Sequence, residues 1–207
     1  MCSWCWGFSP VIDRIAQDYG DRTPLALLLG GLFPDTSAPM DEAFKTSLRE
    51  HWEHVQQLTG QPFNFELLEH SRFIYNTEPA CRAVVTSRRL RPGAELGFLH
   101  ALHAAFYRDN RDVTAAETLC DIAAENGFAR ERFEIEFASA RAETRRDFAL
   151  AQELGVHGFP SLLGCSGGRI VMLTEGYQPL PRLIASIDAW LEHDVSDAMP
   201  AGIDSGN

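Results

Sequence analysis

Cys2-Ser3-Trp4-Cys5 places two thiols within one turn of each other. Residues three apart share a helix face, so the pair can persist as a dithiol or close into a small-ring disulfide. The following stretch, Trp6–Tyr19, suits a helix, with Pro10 as an expected kink and Gly20 as its stop. The two cysteines then sit at a helix N-terminus, where unpaired backbone N–H groups favour negative charge. A thiolate is stabilised there, and the thiolate is the reactive form of cysteine. The spacing points to redox chemistry.

Other residues invite other chemistries. Zinc wants four ligands, usually a second Cys or His pair at similar spacing; His51 and His54 could supply one but are better read as solvated or packed on a helix face. No metal site is expected. Gly164-Cys165-Ser166-Gly167-Gly168 fits the G-x-S-x-G hydrolase elbow, but that motif needs a strand before it and a helix after. Residues Arg169–Leu173 read as a strand, so a glycine-rich hairpin turn accounts for the match. His100 and His103 read as packed within a helical block, whereas His157 is a candidate acid–base group. Cys81, Cys120 and Cys165 form no spacing pattern and read by default as buried free thiols, a second bridge among them being the other reading.

At 207 residues the chain suits one large domain or a domain with an insertion. A net charge of −11 would repel phosphate backbones, so nucleic acid is not an expected partner. No apolar run approaches the roughly 18 residues that span a bilayer, so no membrane span is expected. No basic and apolar leader precedes the motif, which fits a cytoplasmic protein for the chain as given.

Several elements must position the dithiol. Leu25–Leu29 is a short apolar run closed by Gly30-Gly31, the pattern of a strand buried on both faces. Phe33–Met40 reads as a loop. Helices are expected over Glu42–Leu58, Glu78–Leu90 and Ala94–Tyr107, the last with Leu96, Leu99, His103 and Phe106 along one stripe. Thr114 and Glu117 carry a capping-box signature for a helix that stops at Gly127. A long helix, continuous or broken, follows over Glu131–Leu154. Ser161–Leu163 and Arg169–Leu173 read as a hairpin. Leu183, Ile184, Ile187, Trp190 and Leu191 form the apolar face of a last helix, followed by an expected disordered tail over 196–207. The simplest account is an α/β frame, residues 1–40 and 155–195, interrupted by a helical domain over 41–154.

With these residues in view, the chain resembles the DsbA family of thioredoxin-fold proteins, in its FrnE-like branch. The resemblance rests on Cys2-Ser3-Trp4-Cys5-Trp6-Gly7-Phe8, on Gly155-Val156-His157-Gly158-Phe159-Pro160, and on the helical block between them. It implies a thioredoxin-like fold with a large inserted helical domain and a thiol–disulfide oxidoreductase. It further implies Cys2 as the exposed nucleophile and Cys5 as the resolving thiol, with Ser3 and Trp4 tuning them. Pro160 is implied to follow a cis peptide opposite the pair, and Phe159 to offer backbone to an extended substrate. Strongly oxidising members carry histidine where Trp4 stands, so extreme oxidising power is not expected. The partners implied are disulfide or dithiol proteins and small thiols, glutathione among them, with no bound cofactor. The family's central strand runs directly into the C-x-x-C, yet only Met1 precedes it here. That strand, with any buried acid that relatives place on it, is therefore expected to be missing from this chain, and the natural protein to begin earlier. Kappa-class glutathione transferases and 2-hydroxychromene-2-carboxylate isomerases share the frame but typically carry serine in place of Cys2. They supply the alternative reading, a glutathione-dependent isomerase or transferase. An acidic binding module docked through a redox-switched dithiol is the non-enzymatic reading.

Overall fold

A computed structural model describes residues 1–198. The first helix, α1, spans Ser3–Tyr19 and continues through Pro10, with Gly20 as its C-cap. It begins earlier than the sequence suggests because Cys2 itself serves as the N-cap. The extended run after it is no strand: residues 24–30 pair with no β neighbour among the described residues. Instead the carbonyl of Leu27 accepts from the Arg88 guanidinium at 3.1 Å, and the N–H of Leu29 donates to Asp147 at 3.3 Å. Side chains of two helices thus hold backbone groups that a neighbouring strand would otherwise take.

The helical block follows as α2 (Glu42–Thr59), a 3-10 turn (Glu66–Glu69), α3 (Glu78–Leu90), α4 (Glu95–Tyr107), α5 (Ala116–Glu125), α6 (Arg130–Ser139) and α7 (Arg141–Glu153). Asp41 caps α2 by accepting from the Phe44 N–H at 2.8 Å. The capping box at Thr114 does not form; its N–H and hydroxyl both turn to the carboxylate of Asp112, and α5 starts after Ala115. The expected long helix breaks at Ala140. The buried face of α4 is broader than the expected stripe. It is built on Phe98, Leu102 and Ala105 together with His103, Phe106 and Tyr107, because other helices cover it on several sides.

After the block come β1 (Ser161–Ser166) and β2 (Arg169–Glu175), an antiparallel hairpin turned by Gly167-Gly168, then α8 (Leu180–Ala198). This hairpin is the whole sheet among the described residues, so the α/β class stands with helix predominating. The helix α8 runs through 196–198, where a disordered tail was expected, and the rest of that tail lies outside the described residues.

Two cores result. The larger lies in the helical block around Trp52, Phe106, Tyr107 and Phe133, all at most 0% exposed, and takes Met1 and Trp6 from the start of the chain. The smaller joins Phe8, Val11, Ile15 and Tyr19 of α1 to Leu183 and Ile187 of α8, with Leu162 and Leu173 of the hairpin packed against them. One helix therefore feeds both cores, and its N-terminus lies at the seam.

Candidate active site

The geometry of the dithiol follows from Cys2 acting as an N-cap. Its backbone is extended, with φ −133° and ψ 116°, and its carbonyl accepts the first helical bond from the Trp6 N–H at 3.0 Å. Its Sγ accepts from the Cys5 N–H at 3.3 Å, the role that a serine or aspartate oxygen plays at other helix starts. No acidic side chain occupies the first turn, so the sulfur has the positive end of α1 to itself. Both cysteines are free thiols and half-buried.

Their electrostatics are opposite. A hydrogen bond from the Cys5 thiol, helped by backbone N–H donors, holds the Cys2 thiol below the ordinary thiol range against the opposing effect of burial. That same bond, with burial and the charge of Cys2, pushes Cys5 well above it. One sulfur is set up to ionise and the other to keep its proton.

The loop before β1 closes the other side. The Phe159–Pro160 peptide is cis. The Cys2 thiol points at the Phe159 carbonyl from 3.9 Å, bringing residues 157 apart in sequence together. Pro160 is buried, and its carbonyl accepts from the Gly176 N–H at 2.7 Å, which ties the loop to the end of β2. Phe159 fits because residue 30 is glycine: a Cβ there would lie 1.9 Å from the ring. His157 is exposed and is held by its backbone N–H, 3.0 Å from Glu175 Oε1, so the contact seen there uses main chain rather than the imidazole.

The residues between the cysteines part company. Ser3 is buried at 6% exposure and faces the protein. Trp4 is half-buried, its ring edge-on to His51 and to His54, each at 5.7 Å, and tilted against Tyr177 at 5.6 Å. It is thus gripped by α2 on one side and by the segment after β2 on the other. Burial and the neighbouring His54 lower the pKa of His51. The sequence alone left these two histidines as helix-surface residues; nothing in their spacing reveals that they converge on Trp4.

Beneath the dithiol lies a polar pair that sequence reasoning missed. The Tyr75 and Tyr107 hydroxyls meet at 3.3 Å, and Tyr75 also donates to the Met1 carbonyl at 3.4 Å. Burial raises the pKa of both phenols, and the nearby cysteines raise it further. Trp6 stacks on Tyr107 with ring centres 6.5 Å apart and donates its indole N–H to the Pro62 carbonyl at 3.0 Å. His103 is buried against the same rings, and burial keeps its pKa far below the usual histidine value. His100 bonds instead to Asp13, at 3.3 Å, linking α4 to α1.

The remaining thiols lie elsewhere. Cys81 and Cys120 are buried, and burial pushes Cys81 up to about 11. Cys165 corrects the expectation of a core residue, because it is exposed. A Cβ on its neighbour Gly164 would strike Trp190 of α8, so strand alternation turns Cys165 to the opposite face of the hairpin. The Gly164–Gly168 stretch is a strand end and turn leading into β2, without the helix a hydrolase elbow needs. No group of three or more metal-ligating side chains occurs among the described residues, and no helix there is long and apolar enough to cross a membrane.

Known proteins match this arrangement along most of the chain. A "putative protein disulfide isomerase" from Nitrosomonas europaea is 36% identical, with 93% of this chain and 94% of that one aligned and a TM-score of 0.86. The cytosolic disulfide reductase DsbM from Pseudomonas aeruginosa is 26% identical over 96% of both chains, with a TM-score of 0.76. Its structure with GSH aligns over 95% of both chains with a TM-score of 0.72. A 2-hydroxychromene-2-carboxylate isomerase is 14% identical over 96% of this chain and 95% of that one, with a TM-score of 0.61, a likeness of fold alone. The model of the DSBA-like thioredoxin domain matches residues 1–184, and the chain belongs to that family of thiol–disulfide oxidoreductases.

Proposed function

We propose that the chain exchanges disulfides through Cys2 and Cys5, working as a cytoplasmic reductase with glutathione as its small-thiol partner. The observation that carries this is the asymmetry of the pair: Cys2 capped by the Cys5 N–H at 3.3 Å and held low, Cys5 held high. In the reducing direction the Cys2 thiolate attacks one sulfur of the substrate disulfide. A Cys2–substrate disulfide forms, the substrate S–S bond breaks, and the second substrate sulfur leaves as a thiolate. Cys5 then loses its proton and attacks Cys2 Sγ, which closes the Cys2–Cys5 disulfide and releases the substrate's other thiol. Two glutathione thiols would reopen that disulfide and leave as glutathione disulfide, so the two electrons balance.

The surroundings fit these steps. The Phe159 carbonyl beside Cys2 offers main chain to an extended substrate, and Pro160 shapes that edge. Trp4, wedged between the two histidines and Tyr177, walls the approach to the sulfur, while buried Ser3 supports the turn from within. The cytosolic, GSH-bound relative supports the direction and the small thiol.

The test is the redox equilibrium of the dithiol in glutathione buffers, read by the mass added on alkylation. A reversible two-electron transition that disappears in Cys5→Ser is expected. Absence of any transition, with glutathione binding retained in Cys5→Ser, would move the reading to the glutathione-dependent isomerase or transferase.

A further inference from the structure

We propose that Tyr75 and Trp6 are positioning residues for the dithiol: they hold the two peptide planes that flank Cys2, and Tyr107 locks both of them to the helical block. The inference deepens the reading of Cys2 as the attacking thiol and rests on it.

The plane before Cys2 carries the Met1 carbonyl, which accepts from the Tyr75 hydroxyl at 3.4 Å. A peptide unit is rigid, so holding that carbonyl also aims the Cys2 N–H and fixes the plane from which its φ of −133° departs. The plane after Cys2 carries the Cys2 carbonyl, which accepts from the Trp6 N–H at 3.0 Å. Trp6 is tethered in turn, its indole N–H donating to the Pro62 carbonyl at 3.0 Å. With both planes held, Cys2 Sγ keeps its 3.3 Å approach to the Cys5 N–H.

One residue joins the two tethers. Tyr75 has a single hydroxyl proton and gives it to Met1, so in the 3.3 Å contact between the phenols Tyr107 is the donor. The Tyr107 ring stacks on Trp6, and its own carbonyl accepts from the Asn64 N–H at 2.6 Å, two residues beyond Pro62.

Packing alone does not call for the Tyr75 hydroxyl. The buried ring meets Phe33, Phe44, Phe73 and Phe106 edge to face, a cage that phenylalanine would fill equally. A hydroxyl in such surroundings costs free energy unless it is bonded, and the carbonyl it finds belongs to the peptide that enters Cys2. Burial pushes both phenols above the ordinary tyrosine range, so they stay neutral and act through hydrogen bonds and shape rather than charge.

The pH midpoint for alkylating Cys2, read from the mass of the modified peptide in a Cys165→Ser background, tests the proposal. Tyr75→Phe keeps the ring cage and should raise the midpoint by about half a unit, about a threefold loss of thiolate below it. Tyr107→Phe and Trp6→Phe should each move it the same way. Tyr19→Phe is the control for a merely structural loss. It removes a 2.9 Å bond to Asp188 at the far end of the same helix and should leave the midpoint where it was. An unchanged midpoint in Tyr75→Phe, with circular dichroism showing the variant folded, overturns the proposal, as does an equal rise in Tyr19→Phe. The exchange reading stands or falls separately, on the two-electron transition of the unsubstituted chain in glutathione buffers.

Discussion

The two cores of this protein are built by different rules, and the candidate site lies where they meet. The larger is local in sequence, assembled from successive helices and rich in ring contacts: Trp52 alone meets Phe106 and Tyr107 edge to face and lies tilted against Phe63 and Phe65. The smaller is non-local, made when α8 near the end of the chain packs on α1 at its start. Trp6 points into the first and Phe8 into the second. The turn that carries Cys2 and Cys5 is therefore anchored from both sides. An active site at such a seam can draw Trp4's partners from α2 and from Tyr177 at once, which neither core alone provides.

The sharpest way to break the comparison is to hollow out one core. Trp52→Ala in the larger should cost about 3–5 kcal/mol in urea unfolding. Leu183→Ala, 1% exposed in the smaller, should cost about 3 kcal/mol. Because α1 belongs to both cores, each variant should still unfold in a single transition; two separated transitions would show that the seam does not couple them.

A smaller effect is expected at the polar strut between α3 and α7. Arg88 bonds Asp147 through two nitrogens, at 3.1 and 3.0 Å, and Glu143 at 3.0 Å, besides the Leu27 carbonyl. Arg88→Met leaves the buried Asp147 carboxylate without that partner and should cost about 2 kcal/mol, since the arginine is itself partly solvated. Hydrogen exchange should quicken at the Leu29 amide, which bonds the same carboxylate.

The subtlest prediction concerns the thiols. Cys2 ionises below the ordinary thiol value chiefly because the Cys5 thiol donates to it. In Cys5→Ala, the pH midpoint for alkylating Cys2 should therefore move up. The sign carries over to stability. A depressed Cys2 stabilises the reduced fold fully above the ordinary thiol pKa, and that contribution fades as pH falls through the folded value. The raised Cys5 acts oppositely: its contribution is complete below the ordinary thiol pKa and is lost as pH rises towards the folded value.

Much of this was legible in the sequence. Helix limits at Glu78 and Leu90 follow from periodicity and punctuation, because local propensity and the tertiary fold agree there. The dithiol at a helix start was legible for the same reason. What failed depended on distant partners. Leu25–Leu29 has a strand's composition, yet Arg88 and Asp147 claim its backbone. Cys165 has a core residue's chemistry but lies on the uncovered face of a hairpin. The tyrosine pair at 75 and 107, and the histidines around Trp4, meet only through helix packing that no spacing rule encodes.

The central claim, that Cys2 attacks and Cys5 resolves, is tested most directly by trapping the mixed disulfide. In a Cys165→Ser background, Cys5→Ser treated with glutathione disulfide should accumulate one glutathione on Cys2, located by peptide mass. Cys2→Ser in the same background should take up none. Glutathione found on Cys5 in Cys2→Ser, at a rate equal to that on Cys2 in Cys5→Ser, would contradict the account.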